Sequence, residues 1–173
     1  MKRIFALVLA LLLVLTTTPL SVFAAIGEPT IVGTMDKEAV CPGDTVTLTV
    51  SMENNPGLVG WQIWVEYDDS ALTLQEQAAG DAFVEGSLSF GPAQSPANAL
   101  WYDFIHGDYT NNGTLFSMTF LVNETAEAGD VYDIRLYQKY DTDIVNSDMQ
   151  TVEFVYESPS VTVAHTYDGT CDE

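Results

Sequence analysis

Positive charge is nearly missing from this chain. Five Lys and Arg stand against 25 Asp and Glu in 173 residues, and two of the five, Lys2 and Arg3, lie at the N-terminus. Nucleic acid and anionic lipid both select basic surfaces, so neither is an expected partner. Cysteine is scarce too. Cys41 and Cys171 are too few for a disulfide framework and lack the two-plus-two spacing of a structural zinc site. Whether the two pair is left open by the sequence, although an exported chain would permit it. Histidine occurs only as His106 and His165, both read as solvated loop or tail residues. Neither a Ser-His-Asp signature nor a Gly-rich phosphate loop is present. With 25 acids some pairs are neighbours by chance, so no carboxylate pair of the glycosidase kind stands out. A non-catalytic chain is expected.

One long apolar run is present, and it is at the start. In "MKRIFALVLALLLVLTTTPLSVFAA", Lys2 and Arg3 precede apolar residues from Ile4 to Val14, and Val22 and Ala24 form a small-residue end. That is the three-part pattern of a secretory signal peptide, and its apolar core is shorter than the roughly 20 residues of a membrane-spanning helix. No later stretch could span a membrane, so no insertion is expected once the leader is removed. Cleavage after Ala24 or Ala25 leaves 149 or 148 residues and a formal charge of −22, three basic residues against 25 acidic. That length suits one domain with a full core.

A helical period is also lacking beyond the leader, and alternation takes its place. In "TVTLTVSM", Val46, Leu48, Val50 and Met52 share one face, and Thr45, Thr47, Thr49 and Ser51 the other. The same criterion predicts strands near 30–36, 45–52, 58–67, 71–75, 98–105, 114–122, 131–138, 150–156 and 160–164. Turn residues separate them in "CPGDT", "NNPG", "NNGT" and "EAGD". The polar, Gly/Pro/Ala-rich stretch "QEQAAGDAFVEGSLSFGPAQSPANA" reads as a long excursion over one edge. The predicted fold class is all-β, a nine-stranded sandwich of the jelly-roll kind.

Two tryptophans three positions apart in "VGWQIWVEYDDS" need separate explanations. Alternation sends Val59, Trp61, Ile63, Val65 and Tyr67 inward and Gly60, Gln62, Trp64 and Glu66 outward. An outward indole flanked by polar groups suits a contact surface. In "ALWYDFIHGD" both alternating sets are largely apolar, and the single charge of Asp103 favours sending Trp101, Asp103 and Ile105 outward. Further on, Phe116, Met118 and Phe120 read as inward, with Leu115, Ser117, Thr119 and Leu121 outward.

The segments "PGDTVTLTVSMENNPGLVGWQIWVEYDDSALTL" and "NNGTLFSMTFLVNETAEAGDVYDI" are similar to cohesin modules, the receptors for dockerins in cellulosome scaffolding proteins. They carry a Gly-Asp lead-in to a Val-rich strand and an Asn-Gly-Leu-like turn before a strand ending in Tyr-Asp. A Gly-x-Leu to Phe-x-Val-like strand follows. The resemblance covers roughly residues 28–164 and implies a nine-stranded jelly roll whose eighth, third, sixth and fifth strands receive the dockerin. On the strands as counted above, the implied contact residues are Gln62, Trp64, Glu66, Trp101, Asp103, Ile105, Ser117, Thr119 and Glu153. Where many cohesins place an Asn and an Asp two residues apart, this chain has Gly60 and Gln62.

The leader pattern and the resemblance together divide the chain into a signal peptide over 1–25, a cohesin-like domain over 26–164 and a short tail over 165–173. That tail, "HTYDGTCDE", resembles the start of a Cys-rich segment. The implied setting is extracellular assembly for polysaccharide degradation, with the partner a dockerin-containing protein and polysaccharide reached through the wider assembly. No cofactor is expected on this chain, since calcium belongs to the dockerin. The acidic loops "DYTNNGT" and "YDTDIVNSD" could offer oxygen ligands but lack the spacing of an EF-hand loop. Two other readings share the architecture: a carbohydrate-binding module using exposed Trp, and a structural or adhesive domain of a surface protein.

Overall fold

A computed structural model describes residues 27–164 and Cys171; the leader expected over 1–25 and His165 lie outside the described residues. The described residues form thirteen strand segments and no helix, so the all-β class holds while the count of nine does not. In chain order they are β1 (Thr30–Met35), β2 (Ala39–Val40), β3 (Thr45–Glu53), β4 (Gly60–Glu66), β5 (Leu72–Ala79), β6 (Ser87–Phe90) and β7 (Ala97–Tyr102), followed by β8 (Gly113–Val122), β9 (Val131–Asp133), β10 (Arg135–Tyr137), β11 (Ile144–Val145), β12 (Val155–Glu157) and β13 (Ser160–Val163).

Two main sheets pack face to face. The back sheet runs β12-β1-β3-β8-β5, and the front sheet runs β10-β4-β7-β6 with β11 also paired to β4. A small third sheet, β2-β13-β9, joins the remaining segments. Alternation in β3 appears as predicted: Val46, Leu48, Val50 and Met52 are all fully buried. Beside them in the back sheet β8 contributes Phe116, Met118 and Phe120, and opposite them β4 of the front sheet contributes Trp61, Ile63 and Val65. The centre is aromatic, with Trp61 lying 6.0 Å from Phe116 and 6.4 Å from Trp101, centroid to centroid. Packing a strand of each sheet into one such core is what fixes which face of each strand is outward.

Three sequence expectations fail in the connections. The supposed excursion contains β6, which pairs antiparallel with β7 from Ser87 opposite Tyr102 to Phe90 opposite Ala99. The strand expected over 131–138 is two strands. Its first part pairs β13 and its second pairs β4, with buried Ile134 at the crossing between sheets. The strand expected over 150–156 begins only at Val155, preceded by a single bridge between Val145 and Thr151. Cys41 and Cys171 form a disulfide with their Cα atoms 5.6 Å apart, which resolves the pairing left open above.

Candidate functional site

The outer face of the front sheet is built by register. On β4 the outward positions are Gln62, Trp64 and Glu66; on β7, Asn98 stands opposite Trp64, Leu100 opposite Gln62 and Tyr102 opposite Gly60. On β10, Tyr137 lies beside Trp64 and Arg135 beside Glu66. Gln62 donates from Nε2 to Asn98 Oδ1 at 3.0 Å, so these two amides tie β4 to β7 across the face. Arg135 pairs with Glu66 at 3.2 Å and lies 4.7 Å from the centre of the Tyr137 ring.

Trp61 is 1% exposed and Trp64 is half-buried, which places the two indoles on opposite faces of β4 as the alternation predicts. Two residues that the sequence did not single out hold Trp64. Asp143, itself buried, accepts hydrogen bonds at Oδ2 from Trp64 Nε1 at 3.2 Å and from the backbone N–H groups of Lys139 and Tyr140 at 3.0 Å each. Lys139 places Nζ 4.3 Å from the centre of the Trp64 ring, a cation–π contact. Asp143 lies within the acidic run read as a source of oxygen ligands, and its carboxylate is used to cap a turn.

Trp101 and Asp103 do not lie on the outer face, and both expectations are corrected. Trp101 is fully buried, with its ring centre 4.5 Å from that of Phe83 and its Nε1 donating to Glu85 O at 2.7 Å. Asp103, whose charge favours the outward side in the sequence, is only 5% exposed. It sits just beyond the end of β7, where three donors replace water: His106 Nδ1 at 2.7 Å, Tyr109 Oη at 2.7 Å and Ile105 N at 2.9 Å. The bond with His106, then those from Ile105 and Tyr109, hold the Asp103 carboxyl well below the usual carboxylate range. The same contact, with the charge of Asp103, raises His106. The Tyr109 phenol is raised chiefly because its hydroxyl bonds that carboxylate.

Ile105 is 86% exposed, as expected, but in the loop past β7 and not on a strand. Inverting the β7 register brings out Tyr102 in place of Trp101. Tyr102 and the following Phe104 are both exposed and stack at 5.6 Å, forming with Met149 an apolar corner beside Gly60. Phe104 borders hollows on three sides, one shared with Val59 and Met149, one with Gly60, Leu100 and Val145, and one with Gly86 and Ile105.

Ser117 and Thr119 are half-buried on the outer side of β8, so they belong to the back sheet. Thr119 Oγ1 lies 3.2 Å from Thr47 Oγ1. Glu153 is exposed before β12 and lines a groove with Lys139, Tyr140 and Asp141, at the margin of the front face. The reason for both displacements is the unread strand. Once β6 is counted and the two-residue strands are set aside, β7 becomes sixth, β8 seventh, and β10 belongs to the eighth. The sheet of eighth, third, sixth and fifth strands is then β10-β4-β7-β6.

Among the described residues no group of three or more His, Cys, Asp and Glu is placed to hold a metal ion. In the loops "DYTNNGT" and "YDTDIVNSD", Asp108 instead accepts from Ser147 N at 2.6 Å and Ser147 Oγ at 2.9 Å.

The fold has known counterparts. The chain is similar to the sixth cohesin of Acetivibrio cellulolyticus scaffoldin B, solved with a mutant Cel5 dockerin. The identity is 15%, over 79% of this chain and 99% of that one, and the TM-score is 0.65. A cohesin of OlpA from Clostridium thermocellum, in a type I complex with the dockerin Doc918, is 21% identical over 78% of this chain and 99% of that chain, with a TM-score of 0.63. A non-cellulosomal cohesin of the archaeon Archaeoglobus fulgidus gives 16%, 82%, 95% and a TM-score of 0.64. Cell surface glycoprotein 1 of Acetivibrio thermocellus is 25% identical over 154 residues, 83% of this chain, which spans 7% of that protein's length. A family model for the cohesin domain matches residues 32–163, the span that holds both sheets and the aromatic core between them, and the chain therefore belongs to the cohesin family.

Proposed function

We propose that this chain is a secreted, non-catalytic module that binds a dockerin-bearing protein on the outer face of β10-β4-β7-β6, within an extracellular assembly for polysaccharide degradation. The observation that carries this reading is Trp64, held half-buried among Gln62, Asn98 and Tyr137 on that face in a chain of the cohesin family. An amphipathic ring fixed by a hydrogen bond loses little entropy on binding and offers a large contact area. Support for an extracellular place comes from the N-terminal leader pattern and from the cell-surface relative. Calcium is assigned to the dockerin and none to this chain.

The test is capture of dockerin proteins from the culture medium of the source organism on immobilised protein, with and without a calcium chelator. Chelation is expected to release them while circular dichroism of this chain stays unchanged. Retention that survives chelation, or no dockerin protein retained by a folded module, contradicts the reading. A carbohydrate-binding role loses one of the two indoles it invoked, because Trp101 is buried. No retardation on cellulose, xylan or chitin gels is expected, and retardation abolished by Trp64→Ala would reverse that order.

A further inference from the structure

In so acidic a molecule the placement of the few cations is informative. The described residues contain three, Lys37, Arg135 and Lys139, and two of them stand at the β10 side of the front face. Arg135 is neutralised by Glu66. Lys139 has no ion pair with a described carboxylate. Its ammonium rests over Trp64, and Asp143, which holds the adjoining backbone, is already engaged by three N–H donors. Asp141 and Glu153 line the groove on the far side of Lys139, so an anion approaching from the groove is repelled. Over the sheet the ring beneath Lys139 is Trp64, flanked on β4 by uncharged Gln62 and by Glu66, whose carboxylate is paired with Arg135.

The other end of the face is largely apolar. Tyr102, opposite Gly60, stacks with Phe104 above a hollow floored by Gly60, Leu100 and Val145 and bordered by Thr142 and Asp143, whose carboxylate is already taken up by its three N–H donors. Gly60 and Trp64 are separated by four residues of strand, roughly 13 Å at about 3.3 Å per residue.

Resting on the dockerin reading above, we infer that the docking segment of the partner carries a carboxylate that pairs with Lys139 over Trp64, together with an apolar side chain, roughly 13 Å away, that enters the hollow beside Phe104. Net charge alone would select a basic partner for this chain. Lys139 reverses that preference locally and so sets which dockerins are accepted. Desolvation by the surrounding rings strengthens the pair, and misplaced basic residues meet Lys139 as like charge.

The experiment is calorimetric titration, in calcium, of every dockerin module encoded in the source genome against wild type, Lys139→Arg and Lys139→Glu. The dockerins that bind wild type are expected to carry Asp or Glu on the docking segment, and Lys139→Glu to weaken them by at least about tenfold, while Lys139→Arg changes affinity by less than about threefold. Changing that dockerin acid to Lys should abolish binding to wild type and restore it to Lys139→Glu, a rescue that general damage to the surface does not produce. Phe104→Ser should weaken binding without altering the rescue. Dockerins that bind wild type and are indifferent to Lys139→Glu overturn the inference and leave the dockerin reading standing. If no dockerin binds wild type, both fall.

Discussion

Burial separates residues that look alike in the sequence. Trp61 packs between Phe83, Trp101 and Phe116, so Trp61→Ala should cost about 3–5 kcal/mol, read from urea unfolding. Trp64→Ala removes one hydrogen bond and one cation–π contact at a half-buried site and should cost about 1 kcal/mol. A larger loss for Trp64 than for Trp61 would invert the β4 register. Asp103 and His106 add a pH dependence. Asp103 is held below its ordinary 3.8, so its contribution is present above that value and lost as pH falls through its lowered one. His106 is raised above its ordinary 6.5, so its contribution is complete below 6.5 and lost as pH rises through the raised value. The pair therefore stabilises the loop beyond β7 most between these two ordinary values. The stability gap between wild type and His106→Asn should be wider at about pH 5 than at about pH 8; an equal gap contradicts the clasp.

At the scale of elements, β6 depends on the turn that introduces it. Gly86 has φ +85°, and a Cβ there would lie 2.8 Å from both Trp101 Nε1 and Tyr102 O. Gly86→Ala should therefore destabilise by about 1–3 kcal/mol and loosen the β6 edge, seen as faster amide exchange over 87–90. That strand was illegible in the sequence because only Leu88 and Phe90 alternate within a Gly/Pro/Ala-rich stretch. Strands with one clean apolar face were legible, β3, β4 and β8 nearly to the residue. The β7 register was not, because "ALWYDF" is apolar on both faces and the deciding charge, Asp103, is satisfied internally by groups three and six residues ahead. On β4 the alternation therefore gives the face on which Gln62, Trp64 and Glu66 lie, and on β7 it is one residue out of phase. The assignment of Ser117 and Thr119 to the front face failed for a different reason, a strand count short by one. Lys139 and Asp143 were missed because nothing local marks a cation that meets a tryptophan through strand pairing.

For the whole molecule, the disulfide between Cys41 and Cys171 spans a sequence separation of 130 residues, linking the segment just after β2 to the tail. Cys171→Ser should lower stability by about 2–4 kcal/mol through the freed unfolded chain, and a Tm unchanged from the wild type would show the bridge to be idle. The two sheets differ in what they expose. The back sheet shows the Thr and Ser rows of β3 and β8, and the front sheet shows Trp64, Tyr102 and the two cations of β10 and the loop beyond it. Among the described residues, the front sheet combines a rigid aromatic, an apolar hollow and a charge opposite to most of the surface. The most direct test is amide hydrogen exchange of this chain with and without a bound dockerin. New protection should fall on 60–66, 97–105 and 135–140. Protection concentrated on 45–53 and 113–122, with the front sheet unchanged, would place the partner on the back sheet and contradict the account.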